Sequence, residues 1–186
     1  MQNPTTTRRG VLLTLAALPL AACSNAVGTD GAAVIDARVA QTLRFMHDTY
    51  PASEDLSQKA SGLLVTPLVT EAGLGLGGSY GRGALLVRGA TVDYYAATQA
   101  TMGFQAGAQQ YAHVLFFMTP DALQAFRTSA GWSAGAEVEW AYSDRGLNAG
   151  ADTTTVLTPV IGAVLGQSGL MAGASVEGTK YTRIVP

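Results

Sequence analysis

The chain has 186 residues, of which 48% are hydrophobic and only 13% charged, with 22 glycines. That is too apolar for a disordered chain, the glycines follow no collagen-like period, and a net charge of −2 supplies no basic field for nucleic acid. One cysteine excludes an internal disulfide, and two histidines beside it leave little for a zinc site.

Residues 1–22 read as an export leader. Arg8 and Arg9 precede the apolar run GVLLTLAALPLAA. Thirteen helical residues rise about 20 Å, short of a bilayer core of about 30 Å, so a signal peptide is expected rather than a membrane span. Thr7-Arg8-Arg9-Gly10-Val11-Leu12 also looks like a twin-arginine signal. Leu20-Ala21-Ala22-Cys23 resembles a bacterial lipobox, in which Cys23 becomes the acylated first residue. Cleavage there removes both arginines and leaves a net charge of −4. Two or more acyl chains anchor stably. Ser24 after the cysteine favours the outer over the inner membrane, by analogy with enteric sorting. The expected location is the periplasmic face of a bacterial membrane.

Residues 23–33 are small and polar and read as a lipid-anchored tether; residues 34–186 form the folded domain. Ile35, Val39, Leu43, Met46 and Tyr50 recur at helical spacing until Pro51. Arg38 and Arg44 are balanced by Asp36 and Asp48, so this helix is expected to pack on a sheet, not to lie on a membrane. A second short helix is predicted from Ser53 to Ser61, with Glu54 and Asp55 in its first turn. The period then changes to two. Residues 63–69 are β-like, with Pro67 marking an edge or bulge. Residues 102–118 alternate too, but exceed ordinary strand length, so a bend or break is expected near Gly103, Gly107 or Gln110. Thr119-Pro120-Asp121 is a helix start. Residues 134–142 and 170–176 alternate as strands. The expected fold is α+β: an N-terminal helical hairpin, then a curved, mostly antiparallel sheet with one short helix. Barrel-like closure would remove its edges.

Several motifs carry chemistry on paper. Gly73-x-Gly75-x-x-Gly78 fits a dinucleotide fingerprint, but the following GRGALLVRG is β-like where a helix is required. Gly77-Gly78-Ser79-Tyr80-Gly81 fits a nucleophile elbow, with Asp93 and His113 following in order. A serine esterase is therefore a third reading, disfavoured because the elbow needs a strand-to-helix turn. Glu137 and Glu139 share a strand face and could form an acid pair or cation site, but a solvated strand face is the favoured reading. Arg82 and Arg88 are six apart and share a face on an uninterrupted strand; with Lys59 they form a candidate phospholipid-headgroup site. No metal, cofactor or catalytic residue is expected.

The run KASGLLVTPLVTEAGLGLGGSYGRGALLVRG resembles the opening of the SYLF lipid-binding domain. Lys59, Ala60, Gly62, Pro67, Ala72, Gly73, Gly75, Gly77, Gly78, Gly81, Arg82 and Gly83 carry that match. Gly103, Gln105 and Gly107 resemble a second family segment, and Gly173, Glu177 and Gly178 a closing one. Residues 89–98 depart from the pattern. The resemblance implies a non-enzymatic module that binds phospholipid or phosphoinositide-like headgroups. Yeast members of the family also regulate actin, a partner not expected for a bacterial envelope protein. The alternative is a structural protein of the envelope with a protein partner.

Overall fold

The computed structural model describes residues 31–135, 138–141, 158–166, 169–170 and 178–186. The export leader, Cys23, Glu137, Gly173, Glu177 and most of the strand expected at 170–176 lie outside the described residues.

Helix α1 (Gly31–Thr49) starts three residues before the expected position, so residues 31–33 are helix rather than tether. Ile35, Val39 and Met46 form its buried stripe, at the spacing the sequence shows. Helix α2 (Ala52–Lys59) follows Pro51 and carries Glu54 and Asp55 in its first turn, where the helix dipole favours acid. The His47 ring on α1 contacts the Ser57 hydroxyl on α2 at 3.1 Å, tying the helical hairpin together.

Two very long strands make the spine. Strand β1 (Gly62–Val87) and strand β2 (Ala90–Phe117) pair antiparallel from end to end. The turn between them is Arg88-Gly89, with φ of 53° and 79°. Positive φ at both central residues is the two-residue hairpin turn whose twist suits the strands. Arg88 thus holds a left-handed conformation usually left to Asn or Gly. This corrects the sequence reading: the strand ends at Val87, so Arg82 and Arg88 do not share one uninterrupted strand.

A straight 26-residue strand would span roughly 85 Å, far beyond a domain whose radius of gyration is roughly 15 Å. The hairpin must therefore curl. Its register shifts at Thr66/Val69, Gly73/Gly75 and Leu85/Leu86. The first is the bulge expected at Pro67. The second lies opposite Gly103 and Gly107, where a bend was expected. The far half of β1 then crosses back over the near half. A Cβ at Gly81 would sit 2.8 Å from the Leu68 carbonyl oxygen, and one at Gly83 would overlap the Val65 carbonyl. Only glycine permits that crossing.

Helix α3 (Pro120–Thr128) begins as the sequence predicts, with the Thr119 side chain accepting from the Ala122 amide at 3.2 Å. Short strands complete the sheet: β3 (Trp132–Ser133), β4 (Val138–Ala141), β5 (Val160–Gly166), β6 (Gly169–Leu170) and β7 (Lys180–Ile184). Against the edge of β2 that β1 leaves open, β7 pairs along Tyr94–Thr98 and β5 along Ala112–Phe117. Strand β3 adds to β7, β6 pairs antiparallel with β5, and β4 runs parallel to β5. The result is a mostly antiparallel, strongly curled half-barrel.

Where the helices and short strands cover it, the hairpin is buried on both faces, and strand alternation divides them. Leu63, Val65, Ala84, Val114 and Phe116 meet the stripe of α1 and α2. Leu64, Leu85, Tyr95, Leu115 and Phe117 face inward, against Phe126 of α3 and Tyr181 of β7. No helix among the described residues is long and apolar enough to cross a membrane.

Candidate functional site

The inner face carries a small polar group within an aromatic core. Its rings stack closely: Tyr95–Phe126 at 4.7 Å, Phe117–Phe126 at 4.8 Å and Trp132–Tyr181 at 5.7 Å. The Tyr181 hydroxyl and His113 Nε2 share a hydrogen bond of 2.9 Å, and His113 Nδ1 has no partner. Burial alone pushes His113 down to about 3, so the ring is neutral. Burial likewise raises Tyr181 well above the phenol range. Burial raises the Tyr111 phenol too, and the neighbouring Ser79 hydroxyl offsets part of that rise. Asp93 Oδ2 binds Arg183 at 2.8 Å and Arg127 at 3.4 Å, joining β2, β7 and α3.

These partners decide the esterase reading. Ser79 pairs with Gln99 in mid-sheet, so it sits on no strand-to-helix elbow. His113 spends its bonded nitrogen on Tyr181, and Asp93 spends its carboxylate on two arginines. The three side chains do not form a relay. The glycines of the dinucleotide-like run lie within β1 with no helix after them. Glu139 is exposed and accepts from the Thr158 hydroxyl at 2.7 Å. Among the described residues, no group of three or more His, Cys, Asp or Glu could hold a metal ion.

The three candidate headgroup cations sit on three different parts of the fold. Lys59 ends α2, exposed, with Asp55 Oδ2 2.7 Å away one turn earlier. Arg82 is half-buried toward the C-terminal end of β1. Arg88 is exposed at the hairpin tip. The sheet's curl does bring the tip end of the hairpin near the start of β1: a Cβ at Gly62 would lie 3.2 Å from the Leu86 carbonyl oxygen.

Among the described residues, a recess lies away from these cations. An open-sided cleft of about 550 Å³ separates α1 from the sheet. Helix α1 contributes Arg38, Gln41, Thr42 and Phe45, which recur at three- and four-residue steps beside its buried stripe. The sheet contributes Pro67 and Leu68, turned outward by the bulge, and the end of β5 at Leu165. Phe45 is 41% and Leu68 36% exposed, large apolar groups left open at the rim. Among the described residues, no carboxylate forms an ion pair with Arg38. The arrangement offers an apolar trough with one cation and neighbouring amide and hydroxyl groups. Taken as a packing element alone, α1 hides this second stripe. The 38/41/42/45 spacing was the available signal.

No curated protein matches the chain. Residues 98–183 match the model of the Ysc84 family, described as Las17-binding protein actin regulator. The match starts in the middle of β2, whereas the folded unit includes β1 and both N-terminal helices. The chain is thus similar to the Ysc84 family over this segment, somewhat less than half its length.

Proposed function

We propose that this protein is a non-enzymatic lipid-binding lipoprotein of the bacterial envelope. Acylated Cys23 holds it on the periplasmic face of a membrane, in the outer membrane rather than the inner, and the folded domain contacts lipid. The observation that carries this reading is the exposed apolar rim of Phe45 and Leu68 beside the cation of Arg38. An apolar surface next to a single positive charge suits an amphiphile with an anionic head. The description of the matched family speaks of Las17 binding and actin regulation. An exported, acylated chain would meet envelope phospholipid in place of those partners. Lys59, Arg82 and Arg88 remain the proposed headgroup contacts.

The test is co-sedimentation of residues 24–186, which retain every described residue, with vesicles of graded anionic lipid content. Binding should rise with anionic lipid and fall with salt, because screening acts on exposed charge. Arg88→Gln and Lys59→Gln should each weaken it. Absence of binding to every vesicle composition overturns the reading and leaves Cys23 as the membrane contact.

One observation favours a protein partner as the second reading. Among the described residues β1 pairs only with β2, and Leu76 and Tyr80 on it are 74% and 51% exposed. An open edge strand with exposed apolar groups is a template for another chain. Crosslinking to an envelope protein without lipid enrichment would favour it.

A further inference from the structure

We infer that the cleft between α1 and the sheet takes up one anionic single-chain amphiphile as a monomer, its head on Arg38 and its acyl chain against Phe45 and Leu68. The class of ligand rests on the lipid reading above; the site and the one-molecule stoichiometry rest on the geometry. About 550 Å³ falls within the size of small-molecule sites and cannot admit a bilayer surface. The cleft is concave and lies between a helix and a sheet, so a lipid must leave its layer to enter. Its depth is apolar at the buried Leu165, at the end of β5, and its rim is apolar at Leu68 on the bulge. Its charge is a single arginine, on a protein whose net charge is −2, and no acid lines it. Gln41 follows Arg38 by one helical turn and supplies a second donor on the same face. A guanidinium binds carboxylate and phosphate alike, so the shared chemistry is an anionic head on one acyl chain.

The probes are dodecanoate, lauroyl lysophosphatidylglycerol and neutral dodecyl maltoside, each below its micellar concentration, titrated calorimetrically into residues 24–186. Saturable binding of one equivalent is expected for the two anionic probes, with the neutral probe about tenfold weaker. Stronger binding of dodecanoate assigns a free fatty acid; stronger binding of the lysolipid assigns a phospholipid-derived ligand. Arg38→Gln should erase the preference for charge. Thr42→Trp, which fills the cleft, should abolish uptake of all three. Should Thr42→Trp fail to fold, the exposed Phe45→Ala replaces it and should weaken uptake about tenfold. Saturable binding that survives both substitutions, or binding absent for every probe, overturns the proposal. Vesicle binding is measured in parallel. Its persistence without monomer uptake sinks the cleft alone, and monomer uptake without vesicle binding sinks the membrane reading alone.

Discussion

The two faces of the β1–β2 hairpin are covered in different ways. The outer face meets α1 and α2 through a single aliphatic stripe, Ile35, Val39, Met46 and Leu56. The inner face closes on aromatic rings, with Phe126 touching Tyr95, Phe117, Trp132 and Tyr181 at centroid distances of 4.7 to 6.1 Å. A helix laid on a curled, bulged sheet cannot follow it along its whole length, and the cleft is the part it leaves uncovered. The inner face is enclosed by the curl itself and filled by those rings. Packing that fills completely specifies the fold, and packing that stops short leaves room for a ligand.

The sharpest way to break the inner face is Gly83→Val. The branched side chain would have to enter the Val65 carbonyl and the Thr66 backbone. The cost should exceed the roughly 1–3 kcal/mol of ordinary overpacking, and cooperative urea unfolding followed by circular dichroism should be lost. Gly89→Ala, where nothing lies within 4 Å, should cost only about 1 kcal/mol of backbone strain.

The next contrast is between two phenylalanines. Phe126→Ala removes the centre of the aromatic cluster and should cost about 3–5 kcal/mol. Phe45→Ala at the cleft rim should change stability by about 0.5 kcal/mol or less while weakening amphiphile uptake. Equal effects of the two on the urea midpoint would show that the faces do not differ as described.

Acid probes the buried polar pair. Burial holds His113 at about 3 in the folded protein, below the unfolded value of about 6.5. The neutral ring's contribution is therefore complete above the unfolded value and is lost as pH falls from there toward 3. Between pH 7 and pH 5 the loss should be about 2 kcal/mol. His113→Gln should be less stable at pH 7 and lack this part of the pH dependence, as read from urea midpoints at both pH values. A wild-type midpoint unchanged between pH 7 and pH 5 would contradict the neutral, buried ring.

The smallest expected effect concerns how α1 is fastened. Asp36 accepts from the Thr91 hydroxyl at 3.0 Å and from the Tyr94 hydroxyl at 2.8 Å, pinning the start of α1 to the beginning of β2. Asp36→Asn should cost about 1 kcal/mol and speed amide exchange in α1 more than in α3. Equal acceleration in both helices would mean global rather than local loosening.

Much of the fold is legible in the residues. The stripe of α1, the capped start of α3 and the bulge at Pro67 are local consequences of periodicity, a threonine cap and a missing amide. The turn at Arg88-Gly89 was not legible, because arginine rarely adopts positive φ and gives no hairpin signal. That turn is why Arg82 and Arg88, grouped by spacing, fall on a strand and on its tip. The glycine-rich run LGLGGSYGRG gave no sign that β1 crosses over itself there. Ser79, Asp93 and His113 show the converse. Their order along the chain suggested a relay, and their partners in space are Tyr111, two arginines and Tyr181.

By itself the sequence determined the three helices, the strand character of residues 63–69 and 102–117, where the Pro67 bulge falls, and the resemblance to a lipid-binding family. Each of these follows from neighbours a few residues apart, or from motifs kept in order. Only the tertiary structure decided that the hairpin folds over its own glycines, that His113 is buried against Tyr181, and that Arg38, Phe45 and Leu68 border one cleft. Those contacts join residues far apart in the chain. They are fixed by how a helix and a curled sheet divide the space between them, which no local pattern records.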